Sequence, residues 1–348
     1  MNAKQLVLSV LTQDLLVPLW RPLVRDRVCI LMLHRFADAN RGIRGASIAD
    51  LRANLALLRR HRFHLASMQE LLKVDGDPGE PTSLSIVFTI DDGYADFASV
   101  AAPLFAEFDC PVTVFLVTGA VDGATWFWWD RIEHVLESTR RVEVGLEVAG
   151  QMATWKWQEP AQRRAAASAI AELLKTVSNE ERERALVALA DLLEVEVPAQ
   201  PPLKYAAMSW SDVRRCAERG ATFGPHTVTH PMLTKVSDSD AKREILDSWQ
   251  RLRTQTPSVV PVFCYPNGAF AQREISILAS ADLSAAVTTE PQYTSRRAFT
   301  ATDNLTRFCL PRFAYTGDRS QLVQVVAGIE RLKMTLRQGR AGWRPAAN

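Results

Sequence analysis

Residues 85–93 read Ser85-Ile86-Val87-Phe88-Thr89-Ile90-Asp91-Asp92-Gly93. The first six are mostly β-branched or aromatic, and the run is too short for a buried helix but right for one strand. It ends abruptly on two carboxylates and a glycine. A strand apolar on both faces belongs in a parallel sheet covered on both sides. Outward from it, residues 28–33 (VCILML) and 112–117 (VTVFLV) repeat the pattern. Between them, residues 48–60 place Leu51, Leu55 and Leu58 at helical spacing, and 94–108 read as a helix interrupted by Pro103. Gly/Pro/Asp-rich residues 75–81 form a loop. Strand and helix in alternation predict an α/β fold, a parallel sheet or barrel.

After residue 119 the alternation stops. Residues 126–136 are aromatic and then helical, and 142–157 alternate weakly like a small hairpin. Residues 160–177 and 179–194 read as two helices, the second with Ser178 and Glu181 at capping-box spacing. The stretch 197–203 (VPAQPPL) is a linker. Residues 120–203 therefore read as a largely helical insertion. The rhythm then returns: a helix at 209–219 between Ser209 as cap and Gly220 as stop, a strand into Gly224-Pro225-His226, and a helix at 239–254. A strand at 259–265 ends in Pro266-Asn267-Gly268. A helix at 273–280, a strand at 284–288 and a helix at 320–338 follow. The predicted organisation is an apolar N-terminal segment (1–27), an N-terminal barrel half (28–119), the insertion (120–203), a C-terminal barrel half (204–318), and a final helix with a basic tail (319–348).

Of the 348 residues, 47% are apolar and 23% charged, which excludes a disordered chain, a collagen-like fibre and a polytopic membrane protein. A net charge of +2 offers no field for nucleic acid, and none is expected as a partner. The five cysteines are odd in number and scattered without a CxxC, so a reducing compartment is expected rather than a disulfide framework. The apolar run 6–20 is broken by Gln13 and Asp14 and lacks a small-x-small cleavage site, so a cytoplasmic address is expected over export. Arg331, Lys333, Arg337, Arg340 and Arg344 follow the last acid, Glu330. They either complement a helix dipole or make peripheral contact with an anionic membrane or a lipid-linked substrate.

In parallel barrels the loops after the strands build the active site. The polar residues at those places are His34, Asp91 and Asp92, His226 with His230, and the turn at Tyr265–Gly268. Two adjacent carboxylates are costly to bury without partners. A metal would relieve one of them; alternatively they are a helix cap and a first-turn acid. His226 and His230 converge on one helical face or across a tight turn, and with one carboxylate make a three-ligand metal site with an open position. Otherwise they are two separate loop histidines. Cys264, between Phe263 and Tyr265, reads as a small buried strand residue rather than a nucleophile. His61 and His134 read as surface groups.

Taken in order, SIVFTIDDGYADF, SWSDVRRCAERGATFGPHTVTHPML and FCYPNGAF resemble the polysaccharide deacetylase family, the NodB-homology enzymes of carbohydrate esterase family 4. Thr89-Ile90-Asp91-Asp92-Gly93 matches its T-F-D-D-G motif, and His226-Thr227-x-x-His230 matches H-[ST]-x-x-H. Phe263-Cys264-Tyr265-Pro266-Asn267-Gly268 matches the F-x-Y-P-x-G form of its third motif. The resemblance covers roughly residues 28–118 and 203–316 and leaves the insertion unexplained. It implies a NodB-type distorted (β/α)7 barrel and a metal-dependent hydrolase that removes acetyl groups, N-acetyl rather than O-acetyl, from a sugar, polysaccharide or lipid-linked glycan precursor. The implied cofactor is a divalent metal, Zn2+ first, with Co2+, Ni2+ or Mn2+ as alternatives, bound by Asp92, His226 and His230. Asp91 would be the general base, and a backbone N–H in the turn Tyr265, Pro266, Asn267 would hold the oxyanion.

Two departures shape the remaining assignments. The late L-x-H motif is absent, because no histidine follows His230. Leu31-Met32-Leu33-His34-Arg35 is similar to the early strand-end histidine of the poly-N-acetylglucosamine deacetylase branch, which makes His34 the implied general acid, with His64 the next candidate. The motif-three arginine is also missing, with Cys264 in its place. Arg312, in Leu310-Pro311-Arg312, is similar to a late arginine of the same branch and is the expected partner of Asp91. Trp126, Trp128, Trp129, Trp155 and Trp157 in the insertion stack on sugar or form its core. The competing functions are hydrolysis of a non-sugar amide C–N bond and glycan binding on a decayed deacetylase.

Overall fold

The computed structural model describes residues 12–13, 16–73 and 84–340, the last five by backbone alone. Most of the apolar N-terminal run, the loop 75–81 and Arg344 lie outside the described residues. The strands are β1 (Val28–Leu33), β2 (His64–Leu65), β3 (Ser85–Ile90), β4 (Val112–Leu116), β5 (Glu143–Val148), β6 (Gln151–Lys156), β7 (Ala221–Pro225), β8 (Val262–Cys264), β9 (Ala285–Val287) and β10 (Phe313–Ala314). One parallel sheet runs β10-β1-β3-β4-β7, and β8-β9 form a separate parallel pair. Single bridges, Phe223 to Val259 ahead of β8 and Val287 to Leu310 ahead of β10, continue the ring. The result is a seven-stranded α/β barrel, distorted where those single bridges replace ladders.

Strand periodicity divides the core in two. Cys29, Leu31, Leu33, Ile86, Phe88, Ile90, Val112, Val114 and Leu116 pack outward with the helices. Their alternates Val28, Ile30, Val87, Phe115, Val262, Cys264 and Val287 fill the interior. This is the period-2 rule acting on strands covered on both faces. The outer layer is α1 (Ile48–Arg60), α2 (Ala102–Glu107), α6 (Trp210–Glu218), α7 (Asp238–Gln255), α8 (Gln272–Ser280) and α9 (Arg319–Val326), followed by α10 (Ile329–Arg340); α3 (Trp128–Ser138), α4 (Pro160–Leu174) and α5 (Asn179–Leu192) belong to the insertion. Ser47, Ser178, Ser209, Ser237 and Asp318 each accept a hydrogen bond from a first-turn N–H, which satisfies one orphan donor per helix.

Two expected helices differ. Residues 94–108 open with a π-helical turn, Phe97–Ala101, before α2, which puts Pro103 in the first turn of the α-helix, where a missing N–H costs nothing. Residues 320–338 are two helices, α9 and α10. Gly328, at φ +81°, ends the first, and a Cβ there would lie 2.7 Å from the Cβ of Leu23. The insertion builds its own apolar cluster from α3, the β5–β6 hairpin, α4 and α5, with Ile132, Leu146, Trp157, Ile170 and Leu189 buried in it. Among the described residues no helix is long and apolar enough to cross a membrane.

Candidate active site

Register places the first two groups. Leu33 pairs with Ile90 where β1 and β3 both end, so the next residues, His34 and Asp91, emerge side by side. Asp91 keeps the inward parity of Val87 and Thr89. Arg312 directly precedes β10, whose Phe313 pairs with Leu31, so its side chain enters the barrel below Asp91. The guanidinium is fully buried and donates Nη1 to Asp91 Oδ1 and Nη2 to Asp91 Oδ2, both at 2.7 Å. It also donates to Thr288 O (2.8 Å), Thr89 Oγ1 (3.1 Å) and Cys264 Sγ (3.2 Å). Burial alone would raise the Asp91 carboxyl, but the bidentate Arg312 holds it well below the usual carboxylate range. Cys264 is a buried thiol beside this pair, raised by desolvation despite the nearby Arg312, which agrees with its reading as a small interior residue.

Asp92 has the opposite strand parity. A left-handed backbone, φ +72°, followed by Gly93 at +79°, re-aims it into the mouth. A Cβ at Gly93 would lie 2.5 Å from Leu116 Cδ2, so the turn after the carboxylates needs glycine. Nine non-glycine residues among those described have positive φ, and Asp92, Thr227, His230 and Asn267 are four of them. Such backbone strain concentrates at sites that the surrounding structure must over-determine.

His226 follows Pro225 at the end of β7, whose Pro225 pairs with Leu116 of β4. Its Nδ1 lies 2.7 Å from Cys264 O, which turns Nε2 toward Asp92. The His226 and His230 Nε2 atoms stand 3.5 and 3.6 Å from Asp92 Oδ1. Those distances are long for hydrogen bonds. They are close to the ~3.4 Å expected between donors that share one tetrahedral ion at about 2.1 Å. Burial and neighbouring His226 push His230 down to about 3, which leaves its imidazole neutral and free to ligate. Burial pulls His226 down too, but Cys264 and the carboxylates overcome it and raise it well above its ordinary value. Two buried carboxylates thus face a single permanent cation, Arg312, and a divalent ion among Asp92, His226 and His230 would supply the missing positive charge. The residues fit such an ion.

The H-T-V-T-H loop is held by a residue the sequence did not single out. Glu244, buried on α7, accepts from the N–H groups of Val228 (2.8 Å) and Thr229 (2.9 Å) and from Thr229 Oγ1 (2.6 Å). Thr89 was likewise missed, although its parity with Asp91 was readable. In the third-motif turn the Tyr265 N–H is spent on Val287 O at 3.4 Å and Pro266 has none, which leaves Asn267 N–H, at φ +54°, as the donor available in that turn. The Tyr265 ring is buried and stacks on Phe270 at 4.7 Å.

These groups line a cavity of about 330 Å³, with Asp91, Asp92, His226 and His230 at its base, His34 and Asn267 on its sides, and Trp129 and Lys175 of the insertion opposite. His34 is 46% exposed, with Nε2 3.9 Å from Asp91 Oδ2. His64 lies elsewhere, opposite Ser85 at the start of β3, the other end of the barrel. His134 is half-buried on α3. It packs between Trp126 (5.4 Å) and Tyr205 (6.3 Å).

Residues 198–286 match the polysaccharide deacetylase family model. The fold is similar to the Streptococcus pyogenes deacetylase PplD in complex with acetate (16% identity, TM-score 0.55, covering 87% of this chain and 99% of that one). It is also similar to IcaB from Ammonifex degensii (14%, 0.53, 87% and 97%) and to a polysaccharide deacetylase from Bacillus cereus (14%, 0.50, 86% and 69%). No curated protein matches the chain by sequence.

Proposed function

We propose that this chain, which belongs to the polysaccharide deacetylase family, is a metal-dependent hydrolase that removes acetyl groups, N-acetyl in preference to O-acetyl, from a sugar or glycan. The observation that carries this reading is the pair of unlike carboxylates at one strand end. Asp91 is clamped by Arg312, and Asp92 sits at 3.5–3.6 Å from two imidazoles. Adjacent acids with separated environments take separate roles. Asp92, His226 and His230 would hold the ion, with Zn2+ suited to two imidazoles and a carboxylate. Bound there, it supplies Lewis acidity toward an acyl carbonyl and lowers the proton affinity of a water nucleophile.

The chain's own groups then divide the work. Asp91, ionised at every working pH, accepts the water proton at the carboxylate face that Arg312 leaves open. Arg312 fixes that carboxylate in one orientation. The Asn267 N–H faces the developing oxyanion. His34, solvent-connected and beside Asp91, delivers a proton to the departing amine. A cytoplasmic address belongs to the same reading, supported by the scattered, odd-numbered cysteines, and with it a precursor of surface polysaccharide as substrate.

The test is acetate release from a panel of N-acetylated saccharides and lipid-linked sugars, with and without zinc. Metal-dependent release that drops about 10²–10⁴-fold in Asp91→Asn supports the reading. Release indifferent to chelation or to Asp91→Asn overturns it. Metal bound but no release from any saccharide favours a non-sugar amide or a glycan-binding protein.

A further inference from the structure

The insertion is anchored to the active-site loop by one chain of hydrogen bonds. Trp129 Nε1–H donates to Tyr94 Oη at 2.8 Å, and Tyr94 O–H donates to Asp130 Oδ2 at 2.7 Å. Tyr94 follows Asp91-Asp92-Gly93 directly, so the turn that aims the carboxylates also holds the insertion's tryptophan. The Tyr94 ring is itself fixed, under the Arg35 guanidinium at 3.9 Å and against Phe127 at 5.0 Å. Trp129 lies parallel to Phe127 at 4.7 Å and meets the His230 ring edge-on at 4.7 Å. Behind it Trp128 is held under Arg182 at 4.9 Å. Trp128 and Trp157 are buried in the insertion's own apolar cluster, and Trp129 and Trp155 pack against it; of the four, Trp128 and Trp129 also line the active-site cavity.

Trp129 is only partly buried, and what it faces is informative. It lines the 330 Å³ cavity over the carboxylates and a second cavity of about 230 Å³ lined by Arg35, Arg44, Glu133 and Lys204. His34 and Asp92 also line both. The first cavity is near the small end of ligand sites, which run from about 300 to 1,000 Å³, and suits one sugar ring rather than several. The cations of the second are already paired: Arg35 with Asp96, and Arg44 and Lys204 with both Glu133 and Glu137. That wall offers hydrogen bonds without free positive charge, which matches hydroxyls better than phosphates or carboxylates.

We infer that Trp129 is the platform on which the sugar chain stacks at the point where the acetylated ring meets its neighbour, and that Tyr94 and Asp130 are positioning residues that set its plane. This rests on the proposed glycan deacetylase reading. It gives the insertion a function: it supplies the glycan-facing wall of a site whose chemistry comes from the barrel.

The experiment uses the full zinc-loaded chain and the N-acetylglucosamine tetramer as probe. Trp129→Ala raises KM about tenfold while kcat falls no more than about threefold and bound metal is unchanged. Trp129→Phe keeps the ring and the fold but loses the N–H, and gives an intermediate KM. Tyr94→Phe, which deletes only the hydroxyl, raises KM about threefold with kcat nearly preserved. Calorimetric binding of the tetramer to Asp91→Asn, with and without Trp129→Ala, reads the platform without turnover. Turnover with KM unmoved in all three variants overturns the inference and leaves the deacetylase reading standing. Trp129-dependent binding, with no acetate released by the wild type, supports the platform and sinks the deacetylase reading. A tetramer neither bound nor hydrolysed overturns the platform.

Discussion

The two ends of β3 carry the same three chemical groups and put them to different use. At its start Arg296 donates to Glu70 at 2.8 Å, with His64 Nε2 3.3 Å from the same carboxylate, all three between 31% and 40% exposed. At its end Arg312 grips Asp91 with two bonds of 2.7 Å, both groups buried, with His34 at 3.9 Å. An arginine, a carboxylate and a histidine thus make a solvent-screened surface network at one end and a polarised catalytic pair at the other. The difference is desolvation and fork geometry, not residue type. A solvent-screened pair contributes little to stability and does not lock its members in one geometry. A buried bidentate pair fixes one carboxylate in charge and direction.

The largest separation is expected between the histidines. His34→Gln should lower kcat by about 10²–10⁴-fold, the usual contribution of a general acid. His64→Gln should leave acetate release unchanged, because it sits at the far end of the strand. Equal losses in both variants would mean that neither donates the proton.

Next come the arginines. Arg312→Met strands a buried carboxylate and should cost about 3–5 kcal/mol in urea unfolding, against about 0–1 kcal/mol for Arg296→Met. The pH dependence gives the sign. In the wild type the folded Asp91 carboxyl is depressed, so its stabilisation is full above the unfolded carboxylate value of about 4 and is lost only as pH falls toward the depressed value. Without Arg312, burial acts unopposed and raises Asp91. The acid limb of kcat/KM should therefore move to higher pH in Arg312→Met, and the stability gap between the proteins should narrow toward acid. An unmoved acid limb would mean that Arg312 does not set the charge of Asp91.

How much of this was readable in sequence follows from the same comparison. The buried runs at 28–33, 85–90 and 112–117 announce the parallel strands because nothing but a sheet covered on both faces tolerates them. The strand ends then nominate His34, Asp91 and His226. Spacing could not tell His34 from His64, since both are histidines at strands and only register separates the two ends of the barrel. The same limit hid Glu244. It sits mid-helix among other charges, and only the folded chain brings it under Val228 and Thr229. The break at Gly328 was missed because the apolar spacing continues across it. The reason for the break, contact with Leu23, lies more than three hundred residues away in the chain. Trp129 was visible as one of five insertion tryptophans, but which of them faces a ligand depends on how the insertion docks.

Glu244 offers the smallest effect and the finest test of whether desolvated geometry is what distinguishes the two ends. It touches neither the substrate cavity nor any ligand atom. It acts only by holding the backbone that carries His226 and His230, with Thr227 at φ +69° and His230 at φ +58°. Glu244→Gln keeps the side chain's shape and one acceptor oxygen, so the fold should survive, but two N–H groups and a hydroxyl must share weaker bonds. Outer partners of metal ligands commonly contribute 10–100-fold to affinity, and a group one step further out should lie near the lower figure, so zinc affinity is expected to fall about tenfold. At saturating zinc, kcat should recover, because Asp91, Arg312 and His34 are untouched. The apo-protein should melt close to the wild type, and the holo-protein below it by the binding free energy lost. If kcat stays low at saturating zinc, the loop positions more than the ion. If affinity does not change, the strained backbone at Thr227 and His230 is held by the barrel alone, through the Thr118 and Gly119 N–H groups that bond to Thr227 O and Val228 O at 3.1 and 2.9 Å.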